Sequence, residues 1–373
     1  GLAADGVQKA NSGHPGAPLG LADVASVLYF DFLKHNPANS KWPNRDRFVL
    51  SGGHASILLY SLLHLSGYQV SLDDLKNFRQ LGSNTPGHPE YGDTDGVETT
   101  TGPLGQGIAN AVGMAIGERM AAARFNRPGY EIVDHYTYVF AGDGDLMEGV
   151  SSEASSLAGH LKLGKLIVIY DSNRITIEGS TDLAFTESVK ERYQAYGWQV
   201  LEVDGHNIPE LQKAMAQARE NQEQPTLIIA HTQIAKGAPT KAGLAETHGA
   251  PLGAEEVAGL KRALGLPEDQ QFYIPEDLKD LPEKMRQKGQ QLEAEWQKLF
   301  QGWAKEYPQL AEQWNSWLSG ILPDLSDIVT MFGPDANLAS RAASGQVLNA
   351  IAKKVPNLVG GSADLAPSNN SFL

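Results

Sequence analysis

An aspartate set between two glycines, Gly142-Asp143-Gly144, ends the apolar run "YTYVFAG" (136–142), and at position 173 an asparagine ends a second run, "KLIVIYDSN" (165–173). One helical stretch, "SSEASSLAGHLKL" (151–163), separates the two. Strand, helix, strand is a right-handed crossover between parallel strands, which places both residues on one edge of a sheet. Open α/β sheets bind ligands at that edge. A carboxylate and an amide oxygen, with no Cys or His in the loop ends, suit a hard cation such as Mg²⁺ or Ca²⁺. Two protein oxygens are too few for its shell, so backbone carbonyl, water and phosphate oxygens are expected to complete it. Glycines at 142 and 144 let the main chain approach a phosphate closely. For "GDG" alone, a turn whose Asp caps the next helix serves as well; Asn173 tips the reading toward a metal.

Two further groups of residues point to the same edge. "ETTTGPLGQGIANAVGMAIGERM" opens a long helix from Gly105, and free amides at a helix start favour an anion or a polar ring. Its "GPLGQG" follows the polar, turn-rich "GDTDGVETTT" rather than a strand and lacks a Lys-Ser/Thr pair. A nicotinamide dinucleotide and a nucleoside triphosphate are therefore poor candidates. Of ten histidines, His14, His54, His88 and His248 lie in glycine/proline-rich loops. Singly, each reads as a surface or satisfied loop histidine. Together they suit a shared polyhydroxy or phosphorylated ligand, whereas His35, His64, His135, His160, His206 and His231 read as structural.

Composition narrows the rest. The formal net charge of −14 disfavours nonspecific attraction to nucleic acid or an anionic membrane surface. An anionic ligand must then be held by local devices. The absence of cysteine excludes disulfides, thiolate nucleophiles and Cys-ligated metal centres. No apolar run near 18 residues occurs, so a soluble, cytoplasmic chain is expected. It opens at Gly1, without Met, inside a helix-like pattern, so a trimmed N-terminus is expected.

Alternating helical patterns and β-branched runs over residues 1–265 predict an α/β domain with a parallel sheet. Its strands are read at 136–142, 165–173, 198–205 and 226–233, and helices at 21–34, 105–125, 151–163 and 208–222. Residues 266–337, rich in Gln, Glu, Lys and Trp, read as an amphipathic helical connector whose Trp face packs on the first domain. From Leu338 a helix "ASRAASGQVLNAIAKKVP" and a strand "NLVGGSADLAP" begin a second α/β domain, which one helix and one strand cannot close.

The Gly-Asp-Gly to Asn spacing resembles the cofactor signature of thiamine-diphosphate enzymes. With "SGHPGAPLG", "TTTGPLGQGIANAVGMA", "TPGHPE", "DSNRITIEG", "HGAPLG" and "GGSADLAPSN", the chain resembles the transketolase family along its whole length apart from the connector. The resemblance implies a parallel-sheet thiamine-diphosphate-binding fold with helices on both faces, then a truncated pyrimidine-binding domain from 338. It implies Asp143, Asn173 and the Ile175 carbonyl as ligands of Mg²⁺ or Ca²⁺, and Gly144 against the diphosphate. Gly102, Pro103 and Leu104 would line the aminopyrimidine. His54 would contact the diphosphate or thiazolium side, and His248 both cofactor and substrate. His14 and His248 would contact substrate hydroxyls and transfer protons, and His88 would bind the donor's hydroxyls. Arg341 and Ser368 would hold the distal sugar phosphate, with Asp364 near the interface of the second domain.

The implied activity is transfer of a two-carbon ketol unit from a ketose phosphate to an aldose phosphate, of the pentose phosphate or Calvin cycle type. The implied assembly is a homodimer, or a partnership with a separate pyrimidine-domain subunit, since the cofactor lies between subunits. "SGGHAS" carries Gly53 where the family commonly has a larger polar residue, a departure expected to be tolerated. The family's cofactor-activating glutamate is not among these residues, so the chain is expected to be inactive alone. Dihydroxyacetone synthase shares these motifs, and a noncatalytic cofactor-binding fragment is the alternative of another class. Deoxyxylulose-phosphate synthase and phosphoketolase fit the "SGHPGAP" and "HGAPLG" pair less well.

Overall fold

The four apolar runs form strands: β2 (Thr137–Gly142), β3 (Leu166–Ser172), β4 (Gln199–Asp204) and β5 (Thr226–His231). A fifth, β1 (Arg47–Leu50), precedes them; its "RFVL" is too short to stand out in the sequence. The computed structural model describes residues 1–373. The strands form one sheet in the order β1-β2-β3-β5-β4, with every pairing parallel. Successive side chains alternate between two cores. Tyr138, Phe140, Ile167, Ile169 and Ile228 enter one, and Val139, Ala141, Leu166, Val168 and Leu227 the other. Burial of both faces explains why the runs read as continuously apolar.

Two compact units are present, Gly1–Phe300 and Gln301–Leu373. The expected helix over 105–125 forms as Gln106–Phe125, that over 151–163 as Gly149–His160, and that over 208–222 as Ile208–Glu220. The helix predicted over 21–34 forms over residues 22–32, as an α-helix, Ala22–Ser26, that widens into a π-helix, Val27–Phe32. It ends where the Lys34 amide donates to Asp46 Oδ2 at 2.8 Å, which draws the chain out of helical register. Trp296 packs on the first unit, where its Nε1 donates to the Ile132 carbonyl at 2.8 Å and its ring meets Trp42. Trp303 and Trp314 meet each other within the second unit.

The second unit contains the expected helix, Ser340–Lys354, but no strand over "NLVGGSADLAP". That segment is turn-like and ends in a short helical turn, Ala366–Asn369. A lone strand has no neighbour to take up its amides and carbonyls, so local β-propensity does not suffice.

The start of the Gln106–Phe125 helix is pressed onto the end of β1. A Cβ added at Gly107 would lie 2.5 Å from Ser51 Cα and 2.7 Å from its Cβ. Alanine is better than glycine in a helix by about 1 kcal/mol, but overpacking against backbone costs about 1–3 kcal/mol. The clash dominates because Ser51 Cα cannot rotate away. Gly107→Ala is expected to destabilise the chain, read as a lower urea midpoint; an unchanged or higher midpoint contradicts this packing.

Candidate functional site

The carboxyl ends of β1, β2 and β3 open on a cleft of about 480 Å³ within the first unit. Asp143, Gly144, Asn173 and Ile175 border it, as do Gly102 and Leu104. Pro103, between the last two, is exposed beside it. His14, His54, His88 and His248 also reach it. The sheet register sets Gly142 opposite Asp171, so the segments carrying Asp143 and Asn173 leave paired strands side by side.

Asp143 is 4% exposed. Its Oδ1 accepts from the Tyr170 hydroxyl, while Oδ2 is buried without a hydrogen-bond partner. Burial pushes its carboxyl up to about 6, against the pull of the Tyr170 hydrogen bond. Asn173 is held from both sides: its Nδ2 donates to Asp171 Oδ2 at 2.9 Å, and its Oδ1 accepts from the Ile175 amide at 2.9 Å. The loop turns through Arg174 at φ 61°, which brings Ile175 back over Asn173. Burial pushes Asp171 up to about 7, and Asp143 adds to the rise. Two adjacent buried carboxyls and an orphaned carboxylate oxygen are what a divalent cation would satisfy. No three His, Cys, Asp or Glu side chains converge as a metal site, so a cation here needs oxygen donors of other kinds.

Three of the four loop histidines form a cluster. Ring centroids of His14 and His54 lie 4.9 Å apart, those of His54 and His248 5.0 Å, and those of His14 and His248 5.7 Å. His88 lies against Gly102: a Cβ there would be 3.4 Å from His88 Cδ2. Burial, then the neighbouring imidazole of His248, lowers His14 to about 4 and His54 to about 3. Burial lowers His248 and His88 too. All four are neutral near pH 7, and a neutral ring both donates and accepts. His14 Nδ1 is buried without a partner, as suits a group that meets a ligand hydroxyl.

Close backbone approach shapes the cleft floor. A Cβ at Gly144 would stand 2.9 Å from Leu104 Cδ1, so a side chain there would fill the space between the two loops. At Gly53 it would lie 2.7 Å from Thr101 Oγ1 and 2.9 Å from the Gly102 nitrogen. Glycine at 53 is thus what lets the 101–102 segment close on the His54 turn. In the second unit, Arg341 Nη1 donates to the Ser368 carbonyl at 3.3 Å, and both residues are exposed, as is Asp364.

Several contributors are absent from the motif reading. Tyr170 and Asp171 hold the two expected ligands, and Thr232 Oγ1 donates to Asp171. Arg79 Nη1 donates to Ser12 Oγ at 2.8 Å, tying the His14 loop to the segment that leads to His88. Asp145 is completely buried beneath the cleft. Asp145 and Asp171 each stand two residues from a quoted ligand, and only that proximity hinted at them in the sequence.

The sequence matches the family described as "Transketolase, thiamine diphosphate binding domain" over residues 1–323. It is 55% identical over 375 residues to the transketolase of Geobacillus stearothermophilus, covering 100% of this chain and 56% of that protein. Against the transketolase of Bacillus subtilis strain 168 identity is 53%, with the same coverage. Among solved structures, transketolase from Leishmania mexicana superposes with a TM-score of 0.95 at 47% identity, over 100% of this chain and 55% of that one. Transketolase from Pichia stipitis in complex with sedoheptulose 7-phosphate gives 0.94 at 47%, again over 100% and 55%. The chain spans about half the length of the relatives it matches.

The histidine cluster makes a direct prediction. Unfolded imidazoles take up protons near pH 6.5, whereas folded His14 and His54 do so only near 4 and 3. Their contribution to stability is therefore intact above pH 6.5 and is lost as pH falls through the folded values. The ring signals of His14 and His54, followed by NMR, are expected to stay flat from pH 8 to pH 5. An inflection near 6.5 in either contradicts the buried, neutral cluster.

Proposed function

Because the chain belongs to the transketolase family, we propose that it is the diphosphate-binding part of a transketolase. That enzyme moves a two-carbon ketol unit from a ketose phosphate to an aldose phosphate. The observation that carries the reading is the pair Asp143 and Asn173 at the ends of adjacent parallel strands, with Asp143 Oδ2 buried and unpartnered. Residues 1–265 are the diphosphate-binding domain, 266–337 a helical connector, and 338–373 the start of the pyrimidine-binding domain. The working form is a dimer in the cytoplasm, or this chain completed by a separate pyrimidine-domain subunit.

Asp143, Asn173 and the Ile175 carbonyl hold Mg²⁺ or Ca²⁺, and Gly144 leaves room for the diphosphate. Gly102, Pro103 and Leu104 line the aminopyrimidine, and His54 contacts the diphosphate or thiazolium side. When bound, thiamine diphosphate supplies the nucleophilic carbon and the electron sink for breaking the ketose carbon–carbon bond. His14 and His248, neutral and close together, orient the substrate hydroxyls and accept and return protons at their ring nitrogens. His88 binds donor hydroxyls at the mouth of the cleft. Arg341, with Ser368, takes the distal sugar phosphate, for which a guanidinium fork matches charge and geometry.

Two measurements test this reading. In calorimetry, the chain is expected to bind thiamine diphosphate only with Mg²⁺ or Ca²⁺ present, and Asp143→Ala to weaken binding by roughly 100-fold or more, since even outer-shell changes cost 10–100-fold. Unchanged affinity in that variant at any Mg²⁺ concentration removes Asp143 from the metal site. Completed with the other half of a transketolase, the chain is expected to transfer a ketol unit to ribose 5-phosphate in preference to formaldehyde. There His14→Ala should lower turnover by roughly 10²–10⁴-fold with cofactor affinity retained. Loss of cofactor binding instead would reassign His14.

A further inference from the structure

We propose that Asp145 is a positioning residue that fixes the spacing between the two ends of the cofactor cleft, the Gly102–Leu104 loop and the Asp143–Met147 helical turn. The proposal rests on the thiamine diphosphate reading above. Asp145 is 0% exposed, and its carboxylate gathers two donors distant in sequence, Ser51 and Gly105, and one local donor, Gly142, which caps the short helix that Asp143 opens. Oδ1 accepts from Ser51 Oγ at 2.6 Å and from the Gly105 amide at 2.8 Å, and Oδ2 accepts from the Gly142 amide at 2.9 Å. Ser51 Oγ in turn accepts from the Ile108 amide at 3.2 Å, inside the helix that Gly105 opens. Each segment leads into a different part of the cleft. Ser51 precedes the His54 turn, Gly105 follows the 102–104 loop, and Gly142 precedes Asp143.

All three donors are neutral, so the charge is compensated by hydrogen bonds alone. Such an arrangement is costly to leave incomplete, which makes it a rigid joint. Only a carboxylate offers two acceptor oxygens here. Asparagine would turn its NH₂ toward either Gly142 N–H or the Ser51 and Gly105 pair, leaving two donors facing each other. Gly105 also sits at φ 80°, where a Cβ would stand 2.7 Å from Ser151 Oγ, so glycine is required at this donor. A cofactor reaching from the diphosphate end to the aminopyrimidine end reads the spacing that Asp145 sets, whereas a ligand held at the diphosphate end alone does not.

That difference supplies the test. Dissociation constants of thiamine diphosphate and of inorganic diphosphate, each with Mg²⁺, are measured by calorimetry on the 373-residue chain and its Asp145→Asn variant. Expected is a loss of roughly tenfold or more for thiamine diphosphate, as for other supporting-shell changes, with inorganic diphosphate unchanged. Should Asp145→Asn fail to fold, Ser51→Ala removes one of the three donors and is expected to give the same selective loss at smaller amplitude. Equal losses for both ligands, or no loss for either, overturn the proposal and leave Asp145 a stabilising residue only. If the unsubstituted chain binds inorganic diphosphate but not thiamine diphosphate, the cofactor reading fails and takes the proposal with it.

Discussion

Pairing of β2 with β3 sets Gly142 opposite Asp171 and so forces two carboxyls, Asp143 and Asp171, into neighbouring buried positions at the sheet edge. The side chains that hydrogen-bond them are neutral donors, the hydroxyls of Tyr170 and Thr232 and the amide of Asn173, and the charge of Arg174 offsets burial at Asp143 only in part. Hydrogen bonds of this kind orient the carboxyls without neutralising them, and burial raises both toward neutrality, Asp143 to about 6 and Asp171 to about 7. Placing two such groups together is unfavourable for the isolated fold. The cost becomes intelligible if the site is completed by a cation, whose charge both would then share. Much of the cleft can be read as the apparatus that keeps this pair in place.

The imidazole cluster obeys the opposite rule. Burial holds His14, His54 and His248 in their uncharged form, with the His248 imidazole adding to it at His14 and His54, so they bring hydrogen-bonding capacity to the cleft without further charge. The acidic side of the cleft and the neutral side are thus separated by a few side chains. A ligand with a charged tail and a polyhydroxy partner at its other end meets a different chemistry at each. The chain's net charge of −14 makes this division necessary, because no general electrostatic attraction draws an anion inward.

Short helical turns and helix starts converge at the cleft, and tight glycine contacts fix their separation. Gly53 against Thr101, Gly107 against Ser51 and Gly144 against Leu104 each remove the width of one side chain between segments. Asp145 then bridges the remaining gap with hydrogen bonds. Close packing and a buried carboxylate together fix these segment ends with the precision a binding site needs.

Strands β2 to β5 were legible because each is a β-branched run between turn signals, and Asp143 and Asn173 because they close two such runs on either side of one helix. The histidine loops were legible through their glycine and proline context. Four-residue β1 was not, since its "RFVL" is too short to stand out, and the helix over 21–34 was read two residues too long because its end is dictated by Asp46, twelve residues beyond Lys34. The strand expected over "NLVGGSADLAP" failed for want of a neighbour. Sequence alone thus determined which residue types arrive at the sheet edge, because strand periodicity and crossover handedness leave little choice. Only the tertiary structure decided which way each carboxyl points. Asp143 keeps a bare oxygen at the cleft, Asp145 turns inward to Ser51 and Gly105, and Asp171 turns to Asn173 and Thr232. Each choice depends on at least one donor dozens of residues away, Tyr170 for Asp143, Ser51 and Gly105 for Asp145 and Thr232 for Asp171, which no local pattern records.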